Sequence, residues 1–97
     1  MVILLLVVVI LIGCGVPLTR EGGRVRRINP ESKTECRYLG VVEADEDNPF
    51  DPAEGQRDAM NSIRNKVATR GGNAFVISNG ARYGSKTIIQ ADAYWCP

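Results

Sequence analysis

The sheet of this protein is organised by one alternating stretch, Thr87-Ile-Ile-Gln-Ala-Asp-Ala-Tyr-Trp95. Ile, Ala, Ala and Trp occupy its odd-numbered positions from 89 to 95, whereas Gln90 and Asp92 lie between them. Because successive side chains of a strand point to opposite faces, this alternation predicts a strand with one buried and one solvated face. Another strand is predicted at residues 73–79, and the glycine-flanked segment 80–86 is predicted to be the loop of a hairpin that joins the two.

A helix is predicted upstream of the hairpin, from Pro52 to Arg70. Asp51 has the side chain of a typical N-cap, proline is favoured at the first helical position, and Gly71 with Gly72 provides a stop signal. Side chains that suit a buried stripe recur every three or four residues along this segment. They are Ala53, Gln56, Met60, Ile63 and Val67.

The N-terminal residues 2–12 are all Val, Ile or Leu, and their number fits the apolar region of a signal peptide. The sequence that follows, Leu11-Ile-Gly-Cys14, resembles the lipobox of bacterial lipoproteins. The resemblance implies cleavage before Cys14 and attachment of acyl chains, palmitate among them, to its sulfur. The predicted division is then a signal peptide over residues 1–13, the acylated cysteine and a flexible linker over 14–35, and a periplasmic domain over 36–97.

The residue after the cysteine is Gly15 and not Asp. In lipoproteins of this kind that residue directs sorting, so the resemblance implies the periplasmic face of the outer membrane. Two or more acyl chains would hold the protein there stably. An uncleaved anchor is the alternative, because residues 1–18 bear no charge, the usual basic start of a signal peptide is missing and arginines follow from residue 20. Such an anchor would leave the domain in the cytoplasm.

Three cysteines are present. If Cys14 is acylated, Cys36 and Cys96 remain, and an even pair in an exported chain suggests a disulfide; two buried thiols are the alternative. Residues 36–43 predict a further strand. A right-handed crossover through the helix would make this strand parallel to the one at residues 73–79. The Cys36–Cys96 bridge would make it the antiparallel neighbour of the strand at residues 87–95. The expected fold is a two-layer α+β domain, β-α-β-β, with a three-stranded mixed sheet in the order first-third-second and the helix on one face.

Several short motifs indicate a family. They are the lipobox, Cys36-Arg-Tyr-Leu-Gly40, Arg70-Gly-Gly-Asn-Ala-Phe-Val-Ile77 and Tyr94-Trp-Cys96. With them the sequence resembles a family of small bacterial lipoproteins known only as a domain of unknown function. It is more distantly similar to the outer-membrane lipoprotein that senses envelope stress for the Rcs phosphorelay, whose α/β domain is also stapled by disulfides. That sensor has two disulfides, whereas this sequence provides cysteines for one.

The composition argues against several classes of enzyme. The sequence contains no histidine, which removes the commonest general base and the commonest metal ligand. No Cys-x-x-Cys, Gly-x-Ser-x-Gly or phosphate-binding motif is present. The acidic run at residues 45–51 places Pro49 and Phe50 where a calcium loop needs a ligand and a glycine. We therefore expect no enzymatic activity, no cofactor, no metal ion and no nucleic-acid partner.

Two groups of side chains are candidates for contact with a partner. Tyr38 and Tyr94, together with Val42, are predicted on the sheet face away from the helix, either as an exposed patch or as rings packed over the disulfide and covered by the hairpin loop. The other group lies on that loop and comprises Arg82, Tyr83 and Lys86.

The expected function is that of a non-enzymatic outer-membrane lipoprotein whose domain binds an envelope protein, in envelope sensing or maintenance. A structural component of the envelope without a signalling partner is the alternative, and a hydrolase or redox enzyme is a third hypothesis.

Overall fold

The computed structural model describes residues 15–97, and both the predicted signal peptide and Cys14 lie outside this range. Within it the chain forms, in order, β1 (Arg26–Arg27), β2 (Arg37–Asp47), α1 (Pro52–Thr69), β3 (Ala74–Tyr83) and β4 (Lys86–Trp95). Short 3-10 helices precede the first two strands, at Gly22–Arg24 and Pro30–Glu35. The helix and the three long strands form where the sequence predicts them, and each long strand extends further than predicted.

The strands form one mixed sheet in the order β1-β3-β4-β2, with α1 packed on one face. β4 lies between β2 and β3 and is antiparallel to both, as predicted. The predicted number of three strands is wrong, because β1 adds a fourth strand that pairs in parallel with β3 at Ala74 and Phe75. This strand lies in the segment predicted as a linker. Its two residues are too few to show an alternating pattern, and the neighbouring Val25 fixes it by entering the core at 5% exposure.

The hydrophobic core lies between α1 and the sheet. The helix contributes Ile63 and Val67 from the predicted stripe, and Ala59 beside them; all three are fully buried. The sheet presents small side chains opposite the helix, Ala91 and Ala93, which allow a close approach. The strands complete the core with Val42, Ala44, Phe75 and Ile89.

The hairpin between β3 and β4 is tighter than predicted. Residues 80–83 continue β3 and Lys86 begins β4, so the turn consists of Gly84 and Ser85. Gly84 has φ +60°, in the left-handed region that glycine adopts without steric cost. The predicted loop over residues 80–86 is therefore wrong, because Gly80 does not begin a loop but lies inside β3.

β2 is irregular at one point near its start. Its pairing with β4 shifts between Tyr38 and Gly40, and Gly40 has φ +113°. An extra residue in a strand reverses the alternation of side chains beyond it. Val42 therefore faces α1 and is buried, and the more exposed Val41 lies on the other face. The prediction that Val42 shares a face with Tyr38 is wrong for this reason.

Residues 16–19 run along α1 and are held by its side chains. Asp58 accepts a hydrogen bond from the N–H of Val16 at 3.2 Å, and Asn61 Nδ2 donates to the carbonyl of Val16 at 3.0 Å. Asn65 accepts from one backbone N–H of the same segment and donates to one of its carbonyls, both at 2.9 Å. Because these side chains are three or four positions apart, they share one face of the helix. Part of the predicted linker is thus attached to the domain.

One covalent bond and two hydrogen bonds close the end of the sheet. Cys36 and Cys96 form the predicted disulfide, with their sulfur atoms 2.07 Å apart, and join the start of β2 to the residue after β4. Asn73 reinforces this junction, since its Nδ2 donates to the carbonyl of Cys96 and its Oδ1 accepts from the N–H of Cys96, both at 2.7 Å. The amide side chain thereby satisfies backbone groups that lie beyond the strand ladder.

We expect Asn73→Ala to lower the free energy of unfolding by about 1–3 kcal/mol, because the N–H and carbonyl of Cys96 lose their partner in a partly buried site. Asn79→Ala is the matched control, since Asn79 is an exposed asparagine within β3, the strand that Asn73 directly precedes; it should change stability by less than about 0.5 kcal/mol. Chemical denaturation of the oxidised protein measures both variants. Equal effects would contradict the role assigned to the Asn73 amide.

A second prediction concerns Asn65→Ala, which removes the hydrogen bonds that hold residues 17–19 on α1. We expect local opening to become easier by about 1–2 kcal/mol, so that tryptic cleavage after Arg20 accelerates by roughly five- to thirtyfold. Mass spectrometry of early digests measures this rate, with Asn79→Ala again as the control. An unchanged rate would mean that other contacts hold the segment.

Candidate functional site

The structure separates the predicted contact residues into two groups at opposite ends of the sheet. Tyr38 and Tyr94 lie beside the Cys36–Cys96 bridge, at what we call the disulfide end. The other group lies at the opposite end, the hairpin end, and comprises Arg82, Tyr83 and Lys86. From Lys86 to Tyr94 along β4 the distance is about 26 Å at a typical strand rise. The two groups therefore do not form one contact surface.

Tyr38 and Tyr94 are cross-strand neighbours, as predicted for the face away from the helix. Their ring centroids are 5.6 Å apart and their planes are tilted by 57°, an arrangement favourable for aromatic pairs. Tyr94 is buried at 7% exposure, in a small cluster with Cys96, whereas Tyr38 is 56% exposed. Burial above all, and also the charges of Asp92 and Tyr38, raise the pKa of the Tyr94 phenol above its ordinary 10.0, so it keeps its proton at neutral pH.

Of this aromatic pair, Tyr94 is therefore the buried ring, and Tyr38, which packs against it, is the ring exposed to solvent. Trp95, the next residue on β4, is 51% exposed because it ends the strand, although it was predicted on the buried face. Val41 takes the place predicted for Val42 and is 39% exposed. Tyr38 and Val41 lie on the sheet face away from α1, whereas Trp95 alternates with Tyr94 along β4 and lies on the opposite face at the same end. We use the term disulfide-end surface for these three exposed side chains around the end of the sheet. The predicted alternative, a hairpin loop covering these rings, is wrong because the hairpin turn lies at the other end of the sheet.

At the hairpin end, the cations of Arg82 and Lys86 both have polar partners within the domain, whereas the ring of Tyr83 is exposed. Arg82 faces α1, where the amide oxygen of Gln56, in the orientation that satisfies both groups, accepts bonds from Nη1 at 2.8 Å and Nε at 3.1 Å. Lys86 Nζ lies 3.3 Å from a carboxylate oxygen of Asp45, in an exposed pair that contributes little stability. Tyr83 is exposed. Of the three predicted residues, Tyr83 is thus the one most available for contact.

Sequence reasoning missed Phe50, whose side chain is 97% exposed at the hairpin end. It lies in the turn between β2 and α1, where Asn48 Oδ1 accepts hydrogen bonds from the N–H of Phe50 at 3.2 Å and of Asp51 at 3.0 Å. Asp51 in turn caps α1 by accepting from the N–H of Glu54 at 3.2 Å. The backbone on both sides of Phe50 is therefore fixed while its ring lies in solvent. The available signal was an aromatic residue between Pro49 and Asp51, in the middle of a polar turn.

Within residues 15–97, no group of three or more potential metal ligands is placed to hold an ion together. In the acidic run at residues 45–51, which begins within β2, Asp45 pairs with Lys86 and Asp47 accepts a hydrogen bond from Ser85. The same part of the chain contains no helix that is long and apolar enough to cross a membrane.

Comparison with solved structures supports the fold independently. The domain is similar to SrfN, a secreted protein of Salmonella typhimurium LT2 whose structure was solved by solution NMR, with a TM-score of 0.61 over 73% of this chain and 86% of that one. The sequences are 11% identical, so the likeness concerns the fold alone. No curated protein matches the sequence.

The sequence over residues 16–96 matches the family described as Domain of unknown function (DUF4156). This match begins well before Cys36, in agreement with the contacts that residues 16–19 and β1 make with the domain. Because the match spans nearly the whole described chain, this protein belongs to the DUF4156 family.

Proposed function

We propose that this protein is a non-enzymatic lipoprotein of the outer membrane, whose disulfide-stapled domain lies in the periplasm and binds an envelope protein. The pairing of Cys36 with Cys96 is the observation that supports this most. Disulfides persist in oxidising compartments and are rare in the cytosol, so the bridge favours export over an anchor that leaves the domain in the cytoplasm. It also leaves Cys14, which Gly13 separates from the apolar run, as the cysteine available for acylation.

We assign partner binding to the disulfide-end surface. Tyr and Trp are enriched among the residues that dominate binding energy, and Tyr38 and Trp95 are both about half exposed. They project from strand ends that the disulfide and Asn73 hold together. Gly15, which is bonded to Cys14, lies at the hairpin end against the first turns of α1. The disulfide end is therefore farther from the proposed anchor and open to a periplasmic protein.

The resemblance to the Rcs stress sensor suggests a role in envelope sensing, and maintenance of the envelope is the related possibility. A structural component without a signalling partner is the second candidate. It is favoured by the single disulfide of this chain, since the sensor to which the sequence is distantly similar has two. Under the second candidate, deletion would weaken the envelope without changing the expression of stress genes.

Intact mass spectrometry of the protein purified from membranes tests the anchor. We expect the mass of residues 14–97 plus acyl groups, less the hydrogens lost in the Cys36–Cys96 bond. Cys14→Ser removes the acceptor sulfur and should yield the uncleaved, unacylated chain. A wild-type mass equal to that of the uncleaved chain would contradict the proposal.

Photocrosslinking in living cells tests the partner surface. A photoreactive phenylalanine analogue in place of Tyr38 should give a discrete adduct with one envelope protein, because this ring is exposed on the proposed surface. Trp95→Ala should weaken that adduct, because a partner that covers the end of the sheet on both faces would contact Trp95 as well. The matched control places the analogue at Tyr83, at the opposite end. The same protein adduct from both positions, or none from position 38, would argue against this surface.

A further inference from the structure

The described part of the chain lies against α1 from its first residues onward. A Cβ built on Gly15 would lie 3.5 Å from Asp58 Oδ1 and 3.9 Å from Glu54 Oε1, so Gly15 lies against the first turns of α1. Val16 is bonded to α1 through both its N–H and its carbonyl. One peptide bond separates Gly15 from Cys14. A lipid on Cys14 would therefore emerge at the hairpin end of the domain.

Two aromatic side chains are exposed at this same end. Phe50 is 97% and Tyr83 67% exposed, and a cavity of about 440 Å³ is lined by both Gly15 and Phe50. The Asn48 side chain and the Asp51 cap hold the Phe50 turn in its outward position. Tyr83 directly precedes the two-residue hairpin turn. The fold thus presents a phenyl ring and a phenol ring at the end of the domain from which the proposed anchor would emerge.

We infer that the hairpin end rests on the bilayer, with Phe50 inserted among the lipids and Tyr83 at headgroup level; the inference rests on the proposed acylation of Cys14. Aromatic side chains favour the membrane interface, where an apolar ring is buried and a polar tip stays wet. The proposed acyl chains on Cys14 would keep both rings at the membrane surface. The free energy of membrane binding would then come mainly from the acyl chains, and the phenyl ring of Phe50 would add to it. A solvent-facing phenyl ring in a backbone turn held on both sides has no other partner among residues 15–97.

The charges at the hairpin end define the kind of surface. Carboxylates outnumber cations there, with Asp45, Glu46, Asp47, Asp51, Glu54 and Asp58 against Arg57, Arg82 and Lys86. Anionic lipids would repel this end, whereas zwitterionic headgroups would not. The membrane surface that the hairpin end contacts is therefore one of zwitterionic phospholipids. In this orientation the disulfide-end surface lies about 30 Å from the lipid, by the length of β4.

The test uses the full acylated protein in phosphatidylcholine vesicles whose chains are brominated, because bromine quenches tryptophan only at membrane depth. Phe50→Trp in a Trp95→Phe background should show blue-shifted emission and lose most of its intensity on bromination. The native Trp95 is the matched control and should lose almost none. Tyr83→Trp in the same background is a second probe, with smaller but clear quenching, in case the Phe50 variant folds poorly.

Two further arms test the causes. Asn61→Ala combined with Asn65→Ala should reduce the quenching of Trp at position 50 while leaving the protein bound, because the orientation and not the anchor is lost. Replacing part of the lipid by phosphatidylglycerol should reduce the quenching as well, and added salt should restore it.

The outcomes separate this inference from the proposal it rests on. An acylated protein, verified by intact mass, in which both position 50 and position 83 stay unquenched overturns the orientation and leaves the lipoprotein proposal standing. Quenching of native Trp95 instead would reverse the orientation and also remove the proposed partner surface. A chain without acyl groups would overturn both.

Discussion

The bond between Cys36 and Cys96 is the constraint on which the rest of this structure depends. It joins residues 60 positions apart in the sequence, and a loop of that length corresponds to about 4 kcal/mol in the chain-entropy model. That is comparable with the whole stability of a domain this small. The bond holds β2 beside β4. The hairpin partner β3 then pairs with the other edge of β4, and α1, which connects β2 to β3 in the chain, crosses the sheet on one face. Asn73, at the start of β3, binds Cys96 directly and so ties all three long strands at one end.

Much of this architecture follows from local patterns in the sequence. Asp51 and Gly71 mark the ends of the helix, the alternation along β4 gives its buried face, and setting Cys14 aside leaves one possible bridge. β1 could not be predicted in the same way. Its two residues are arginines. They join the sheet because Val25 enters the core and because their backbone pairs with β3 at Ala74 and Phe75. Both reasons are tertiary contacts, which no short window of sequence contains.

The candidate site was less predictable than the fold, and Gly40 shows why. A Cβ there would lie 2.5 Å from Arg70 Nη1, and this guanidinium donates a hydrogen bond to the carbonyl of Leu39 at 3.3 Å. The shift in register at this point is thus coupled to the end of the helix, and it exchanges the faces of Val41 and Val42. Pattern reasoning also assumes that apolar residues are buried. Phe50 and Trp95 violate that assumption at opposite ends of the sheet, since Phe50 is 97% exposed and Trp95 is 51% exposed on the face predicted to be buried.

The exposed aromatic residues at both ends gain a common explanation if the fold also orients the domain. A lipoprotein on a long, unattached linker would present every face to the membrane in turn, and no end would have a fixed neighbour. Here hydrogen bonds to α1 begin at Val16, two residues after the proposed lipid attachment, so under this proposal the folded domain would be fixed relative to its anchor. In the proposed orientation the end beside the anchor would meet lipid, which would bury Phe50 without a protein partner. The end closed by the disulfide would then face the periplasm, and Tyr38 and Trp95 would stay accessible to a protein partner. The same asparagines that add little to the core would in this way decide which surface a partner encounters.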